Sequence, residues 1–582
     1  MKILKRKGVL ITLLISLLVL GSVSTGLVGK TDYDFYASVG RNLKIFGQVY
    51  KQTANNYVED IDPEKFMRAG INGMLDELDP YSTYLEREAQ DDIEIMTRGK
   101  YYGVGMRITL RNGWPTVAEQ PFPNSPAEKA GIREGDQIIE IDGKTTKGLS
   151  LSKTASKLRG EEKGSTVVIK IKRVSVEEPI TYRLVRDEII VSDIQYSGFV
   201  EPGVGLVKLN VFNRGAEKQV ADAIEDLRDQ GMQALILDLR GNPGGLLDVA
   251  VAVADNFLPK GELVVYTKGR NPKSTKEYHT TRPALIEDMP LAVLVNQFSA
   301  SASEIVAGSI QDLDRGVVIG ESTFGKGLVQ TVLPINRSSE GEVSLKLTTA
   351  KYYLPSGRLI QNPEIFKKGR DSVLWAEDQE SDEDSGTDAD SASTDSTEHI
   401  FYTRNGRQVN GGGGVHPDIE SDNPNTTRYV SQLLRKSMFF NFSLQYAADH
   451  PELAENFEIT EEILAEFNAF VEEKEFDYEP AGMEELKELE EIAREEGFYE
   501  AMEPAFQQMR DNFTDVKAQE KQDSTNDVKY LLKRELTAKL YGNDAAYATS
   551  FDRDVTLKKA VEILQDQDDY GRILAVQTAV NN

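Results

Sequence analysis

The chain contains no cysteine and only four histidines among its 582 residues, and both shortages narrow the chemistry open to it. Without cysteine there is no disulfide, no thiolate zinc site and no lipid-modified N-terminal cysteine, although the redox compartment stays open. The histidines, His279, His399, His416 and His450, lie outside any motif that would make one a catalytic partner. Basic residues are scarce against acidic ones: 67 Lys and Arg face 95 Asp and Glu, a formal charge of −28. That balance argues against nucleic acid or anionic lipid headgroups as main partners of the soluble part. Long uncharged apolar runs are missing except at the start. Residues 8–29 carry no charge and follow Lys2, Lys5, Arg6 and Lys7, a pattern that drives export. At about 1.5 Å per residue this stretch reaches across a bilayer, so an uncleaved anchor in the cytoplasmic membrane is expected. Cleavage near Ser22-Val-Ser24 is the alternative. The 40% hydrophobic content is enough for several domains with their own cores.

What is present instead is a serine and a lysine at two strand-to-turn junctions. The run Asn296-Gln-Phe-Ser-Ala-Ser-Ala-Ser-Glu-Ile305 follows the apolar segment 291–295, which has the pattern of a buried parallel strand, and leads into helical spacing. A serine there sits where backbone N–H groups point outward unpaired, able to stabilise an oxyanion. Lys326, in Thr323-Phe-Gly-Lys-Gly327, follows a second apolar strand at 317–320. A lysine serves as a base when burial lowers its pKa from about 10.4 to about 7, disfavouring the charged form by about 4 kcal/mol. Taken as a lone Ser and a lone Lys, the same residues also read as a small-residue helix start and a surface charge. Leu239-Arg-Gly-Asn-Pro-Gly-Gly245 forms a third such junction after the strand 234–239.

Together these segments resemble the carboxyl-terminal processing peptidases, also called tail-specific proteases: serine endopeptidases with a Ser–Lys dyad and an inserted PDZ domain. The resemblance covers residues 36 to 418. It implies Ser301 as nucleophile, Lys326 as base, Gln330 as the glutamine that orients it, and the backbone N–H groups of Gly245 and Ala302 as oxyanion donors. No metal and no cofactor is expected. Gly241-Asn-Pro-Gly-Gly245 superficially resembles a trypsin-like nucleophile loop, but Pro243 has no hydroxyl. The resemblance also places a PDZ domain at 99–187, a small β-rich α+β unit. Its carboxylate-binding loop is Tyr102, Gly103, Val104, Gly105 and Met106, where converging N–H groups capture a peptide C-terminus. The groove helix is expected at 149–158. Arg159, just past it, is a candidate regulatory contact to the core in a PDZ-gated state.

The expected fold is α/β. Residues 188–425 form a protease core with a largely parallel βα sheet, of crotonase-like topology by resemblance. Residues 32–98 read as an N-terminal helical region, with a turn and N-cap at 60–63 before a helix at 64–78. A helical extension of no recognisable chemistry spans 426–582. The segment 376–398 holds ten acidic residues and no basic one, and reads as a disordered insertion within the core, with calcium binding the lesser alternative. The expected function is a cell-envelope, exported endopeptidase that selects substrates by accessible C-termini, with oligomerisation open. The alternatives are a PDZ scaffold with an idle protease fold, or an acyl-CoA enzyme of similar topology.

Overall fold

The computed structural model describes residues 35–86, 93, 95–160, 162–174, 176–338, 341–362, 400–422 and 426–575. The expected anchor at 8–29 and acidic insertion at 376–398 lie outside the described residues. Among the described residues no helix is long and apolar enough to cross a membrane.

The chain divides into two compact units at Leu78. The first holds a helix over 35–56 and a second, Pro63–Asp76. Asp62 caps the second by accepting from the Glu64 and Lys65 amides, Pro63 supplies a first-turn residue that needs no N–H, and Tyr50 stacks on Phe66. The helical region expected to reach residue 98 is interrupted in the second unit. There Thr83–Leu85 is a strand paired with Gly341–Tyr353, and residues 95–98 are helical again. Three residues cannot show a strand period of their own; the long partner strand specifies it.

Within the second unit, a six-stranded sheet runs in the order Ile194–Glu201, Val204–Leu209, Ala234–Asp238, Leu291–Val295, Val317–Gly320, Ile419–Glu420. Its first pair is antiparallel and the rest are parallel, as the βα alternation predicts. The inner strands are apolar on both faces because both are covered. Leu235, Leu237, Val293 and Val295 pack beneath the helices Ala216–Asp229, Leu247–Ala254 and Ala302–Asp312. Ala234, Ile236, Ala292 and Leu294 pack against Leu557, Ala560, Ile563 and Leu564 of the helix Val555–Gln565. The C-terminal extension therefore closes the second face of the protease sheet. A separate antiparallel sheet, which local periodicity did not reveal as a unit, is built around the long strand Gly341–Tyr353. Leu328–Ser338 pairs with one edge of that strand, and Thr83–Leu85 and Leu263–Lys268 with the other.

The PDZ domain has its own sheet, from Ile108–Arg111 to Ile180–Val185, around Val117, Ile138, Val167, Ile169 and Leu184. Its two chain crossings pair with each other: Lys100–Gly103 runs antiparallel to Asp187–Ile190, reinforced by Lys100 to Glu188 at 2.8 Å. The C-terminal helices Arg428–Arg435, Met438–Asp449, Glu461–Glu473 and Thr525–Tyr541 pack around Phe439, Phe442, Phe467 and Leu532. This bundle also touches the PDZ domain, where Lys539 pairs with buried Glu134 at 2.6 Å and Arg111 lies over Phe440.

Candidate active site

Ser301 ends the turn after Leu291–Val295 and starts the helix Ala302–Asp312 with φ 56° and ψ −109°. That conformation costs a β-carbon-bearing residue about 1–3 kcal/mol and persists only where surroundings impose it. The flanking serines are spoken for. Ser299 is buried with Oγ donating to the Leu239 carbonyl at 2.8 Å, and buried Ser303 donates to the Asn242 carbonyl at 2.9 Å. Of the three serines in the repeat, Ser301 alone is partly exposed.

Glu304, wholly buried one turn into the helix, ties this turn to the lysine loop. Its Oε2 accepts from the Ser301 amide at 2.7 Å and from the Lys326 amide at 2.9 Å. Its Oε1 accepts from Thr323 Oγ1 at 2.6 Å and from the Gly325 amide at 2.7 Å. Burial raises the Glu304 pKa above the ordinary Glu value, while these four donors pull against it. All four bonds need an acceptor, so the ionised form satisfies the site. Tyr352 mirrors this bridge on the carbonyl side: its hydroxyl reaches the carbonyls of both Ser301, at 3.2 Å, and Lys326. Burial, then the Glu304 charge, raise its pKa well above that of an ordinary tyrosine, so it stays a donor. The backbones of Ser301 and Lys326 are thus clamped at two points, although 25 residues separate them in sequence.

Lys326 is partly exposed, with Nζ 4.7 Å from the centre of the Tyr81 ring. Gln361 accepts from the Gly327 amide at 2.9 Å and pins the far side of the lysine turn. Gln330 Nε2 donates to Thr348 Oγ1 at 3.4 Å, and the Thr348 amide donates to Ser82 Oγ at 3.2 Å. Gln330 is thereby linked to the segment carrying Tyr81.

The glycine loop lies against the serine turn. A β-carbon on Gly244 would sit 2.6 Å from the Ala300 carbonyl oxygen and 2.8 Å from the Ala302 nitrogen, so only glycine fits, at φ 102°. Asn242 knits the contact by accepting the Ala300 amide at 3.0 Å on its carbonyl and the Gly244 amide at 2.9 Å on its side chain. Among the described residues, neither the Gly245 nor the Ala302 N–H donates a hydrogen bond. Two open donors therefore lie beside Ser301.

In the PDZ domain the carbonyls of Tyr102, Val104 and Gly105 accept from Gly160, Ala127 and Phe122, which fixes the loop. Among the described residues the amides of Val104, Gly105 and Met106 donate no hydrogen bond, an arrangement suited to an anion. Gly103 is paired with Asp187, and the Val104 and Met106 side chains are buried in the PDZ core. The Arg159 guanidinium lies over the Tyr101 ring at 5.5 Å.

Sequence reasoning missed Glu304, Tyr352 and Asn242. The Ser301-x-x-Glu304 spacing, a capping-box pattern at a helix start, was a usable signal for the first. Tyr352 and Asn242 act across distant chain segments and left none.

Residues 203–367 match Peptidase family S41 and 117–173 match the PDZ domain. Residues 429–564 match the C-terminal helical domain of a probable PDZ-protease, and 27–89 an activating protease CtpB N-terminal domain. A carboxy-terminal-processing protease of Bartonella bacilliformis is 38% identical over 325 residues, which is 55% of this chain and 73% of that one. A probable CtpA-like serine protease of Staphylococcus aureus is 36% identical over 327 residues, 56% of this chain and 64% of that one. Among solved structures, a photosystem II D1 C-terminal processing protease is 29% identical, covering 54% of this chain and 89% of its own, with a TM-score of 0.31. With its S41 core, PDZ domain and these relatives, the chain belongs to the carboxy-terminal-processing proteases, a family of serine-type peptidases.

Proposed function

We propose that the protein is an exported endopeptidase that grips substrate C-termini through its PDZ domain and cleaves them with a Ser301–Lys326 dyad. The observation that carries this reading is the shared acceptor: Ser301 and Lys326 hang their amides on one Glu304 oxygen, beside two unpartnered N–H groups.

In this mechanism the Ser301 Oγ–carbon bond forms as the hydroxyl proton passes to the neutral Lys326 amine. The carbonyl electron pair moves onto oxygen, which the Gly245 and Ala302 amides receive. The Lys326 ammonium then gives its proton to the departing amine, and the C–N bond breaks. Water then loses a proton to Lys326 as its oxygen bonds to the acyl carbon; the carbon–Oγ bond breaks, Lys326 returns the proton to Ser301 Oγ, and the second product leaves as the carboxylic acid. Gln330 acts indirectly, through Thr348 and the Tyr81 segment.

Val104, Gly105 and Met106 supply the N–H groups for the substrate carboxylate, with Tyr102 and Gly103 fixing the loop. Arg159 has a packing role on Tyr101 in this state. Casein digestion tests the dyad: Ser301→Ala and Lys326→Ala should each abolish it with the melting temperature preserved, and near-normal turnover by Lys326→Ala would sink the base assignment. Export is supported by Lys2–Lys7 and the uncharged stretch after them. Alkaline phosphatase fused after residue 35 should be active; an inactive fusion contradicts the topology.

A further inference from the structure

The protease core does not build its glycine loop alone. Asp238 ends the strand Ala234–Asp238 and is wholly buried. Its carboxylate accepts from the Arg240 amide at 2.9 Å, Arg240 Nε at 3.0 Å, Arg240 Nη2 at 2.7 Å and Lys208 Nζ at 3.2 Å. Lys208 also donates to the Arg240 carbonyl. The remaining partners come from more than 300 residues away. Tyr547 donates its hydroxyl to Asp238 at 2.9 Å, and Asp554 takes the far edge of the Arg240 guanidinium with two bonds, at 2.9 and 2.7 Å.

Two cations and two anions are thus balanced in a buried site, and removing Asp554 leaves one positive charge in surplus. Arg240 is the first residue of the loop that ends at Gly245. From it the chain passes directly to Gly241, whose amide donates to Asn296, and to Asn242, which holds the serine turn.

We infer that Tyr547 and Asp554, on the C-terminal helices, are positioning residues for the glycine loop, acting on the Gly245 N–H through Asp238 and Arg240. The catalytic part of this inference rests on the Ser301 reading above. The helical domain then has a specific part in the reaction in addition to covering the sheet. It also explains a long-range bidentate pair that sheet coverage by Leu557, Ile563 and Leu564 does not require.

The test uses the full chain with Asp554→Asn, Tyr547→Phe, and Ile563→Val and Leu564→Ala as packing controls that do not touch Arg240. Asn at 554 keeps an oxygen for the Leu557 amide, so the helix cap survives. On a short peptide, Asp554→Asn and Tyr547→Phe should lower kcat at least about tenfold with KM changed less than about twofold, since small misplacements of reacting groups are this costly. Inhibition by a peptide aldehyde, whose adduct presents an oxyanion to the same donors, should weaken in step with kcat. A packing control with the same fall in melting temperature should keep its kcat. Hydrogen exchange over 239–246 should quicken in Asp554→Asn but not in the control. Unchanged exchange, or a kcat loss no larger than the control's, overturns the inference. Quickened exchange in a protein whose wild type cleaves nothing supports the positioning and overturns only the Ser301 assignment.

Discussion

Replacing Glu304 by Gln changes one atom and asks whether the buried carboxylate is the joint of the site. The four donors are arranged two per oxygen: the Ser301 and Lys326 amides on Oε2, Thr323 Oγ1 and the Gly325 amide on Oε1. Gln offers one oxygen and one NH2, so whichever way it turns, one pair of donors meets another donor. Each hydrogen bond to a charged group is worth about 1.5–3 kcal/mol, so two lost bonds cost at least about 3 kcal/mol. At about 2–4 °C per kcal/mol for a domain of this size, the melting temperature should fall by at least about 6 °C. The catalytic cost should be larger. If the Ser301 turn and the lysine loop drift apart by about 1 Å, kcat falls about 100-fold. Thermal unfolding and steady-state hydrolysis of a short peptide read both effects. Unchanged melting and unchanged kcat would mean that Glu304 is already protonated and joins nothing, which would refute the clamp.

Other outcomes follow from single contacts. Gly244→Ala should eliminate activity and lower the melting temperature, because the new methyl meets the Ala300 carbonyl and the Ala302 nitrogen; a fully active variant would disprove the close packing of the two loops. Asp193 is buried where the chain returns from the PDZ domain, and burial raises its pKa to about 6. Between its ordinary value and about 6 the native state binds more protons than the unfolded chain, so this group's contribution to stability falls as pH rises through that window. The melting-temperature difference between Asp193→Asn and wild type should therefore shift in the variant's favour from pH 4 to 6.5; a constant difference would exclude it. Lys539→Met leaves Glu134 buried without its cation, a loss of about 3–5 kcal/mol for such a pair. Burial already raises the Glu134 pKa, so urea unfolding should show a smaller deficit at pH 5 than at pH 8, and an equal deficit would contradict the pairing.

The parts that were legible in sequence share a cause. The strand 291–295, the serine turn, the Lys326 turn and the parallel order of the core are coded by local runs, glycines and periodicity, and the structure brings those segments together. The strand Thr83–Leu85 was not legible, because its pairing is dictated by Ser344 to Lys346, more than 250 residues on. Tyr352 read as one residue of an alternating strand; its role depends on two carbonyls that folding brings within reach of its hydroxyl. The C-terminal helices read as chemically silent for the same reason. Nothing near Tyr547 or Asp554 in sequence announces that Asp238 and Arg240 are their partners.

The proposed reaction turns on Ser301 as the nucleophile. A fluorophosphonate probe forms a covalent bond to an activated serine and expels fluoride, leaving an adduct that peptide mass spectrometry can place. The adduct should fall on Ser301 alone, sparing Ser299 and Ser303, whose hydroxyls are buried and donating to backbone carbonyls. It should disappear in Ser301→Ala and drop sharply in Lys326→Ala. An adduct on another serine, or labelling that persists in Ser301→Ala, would contradict the account.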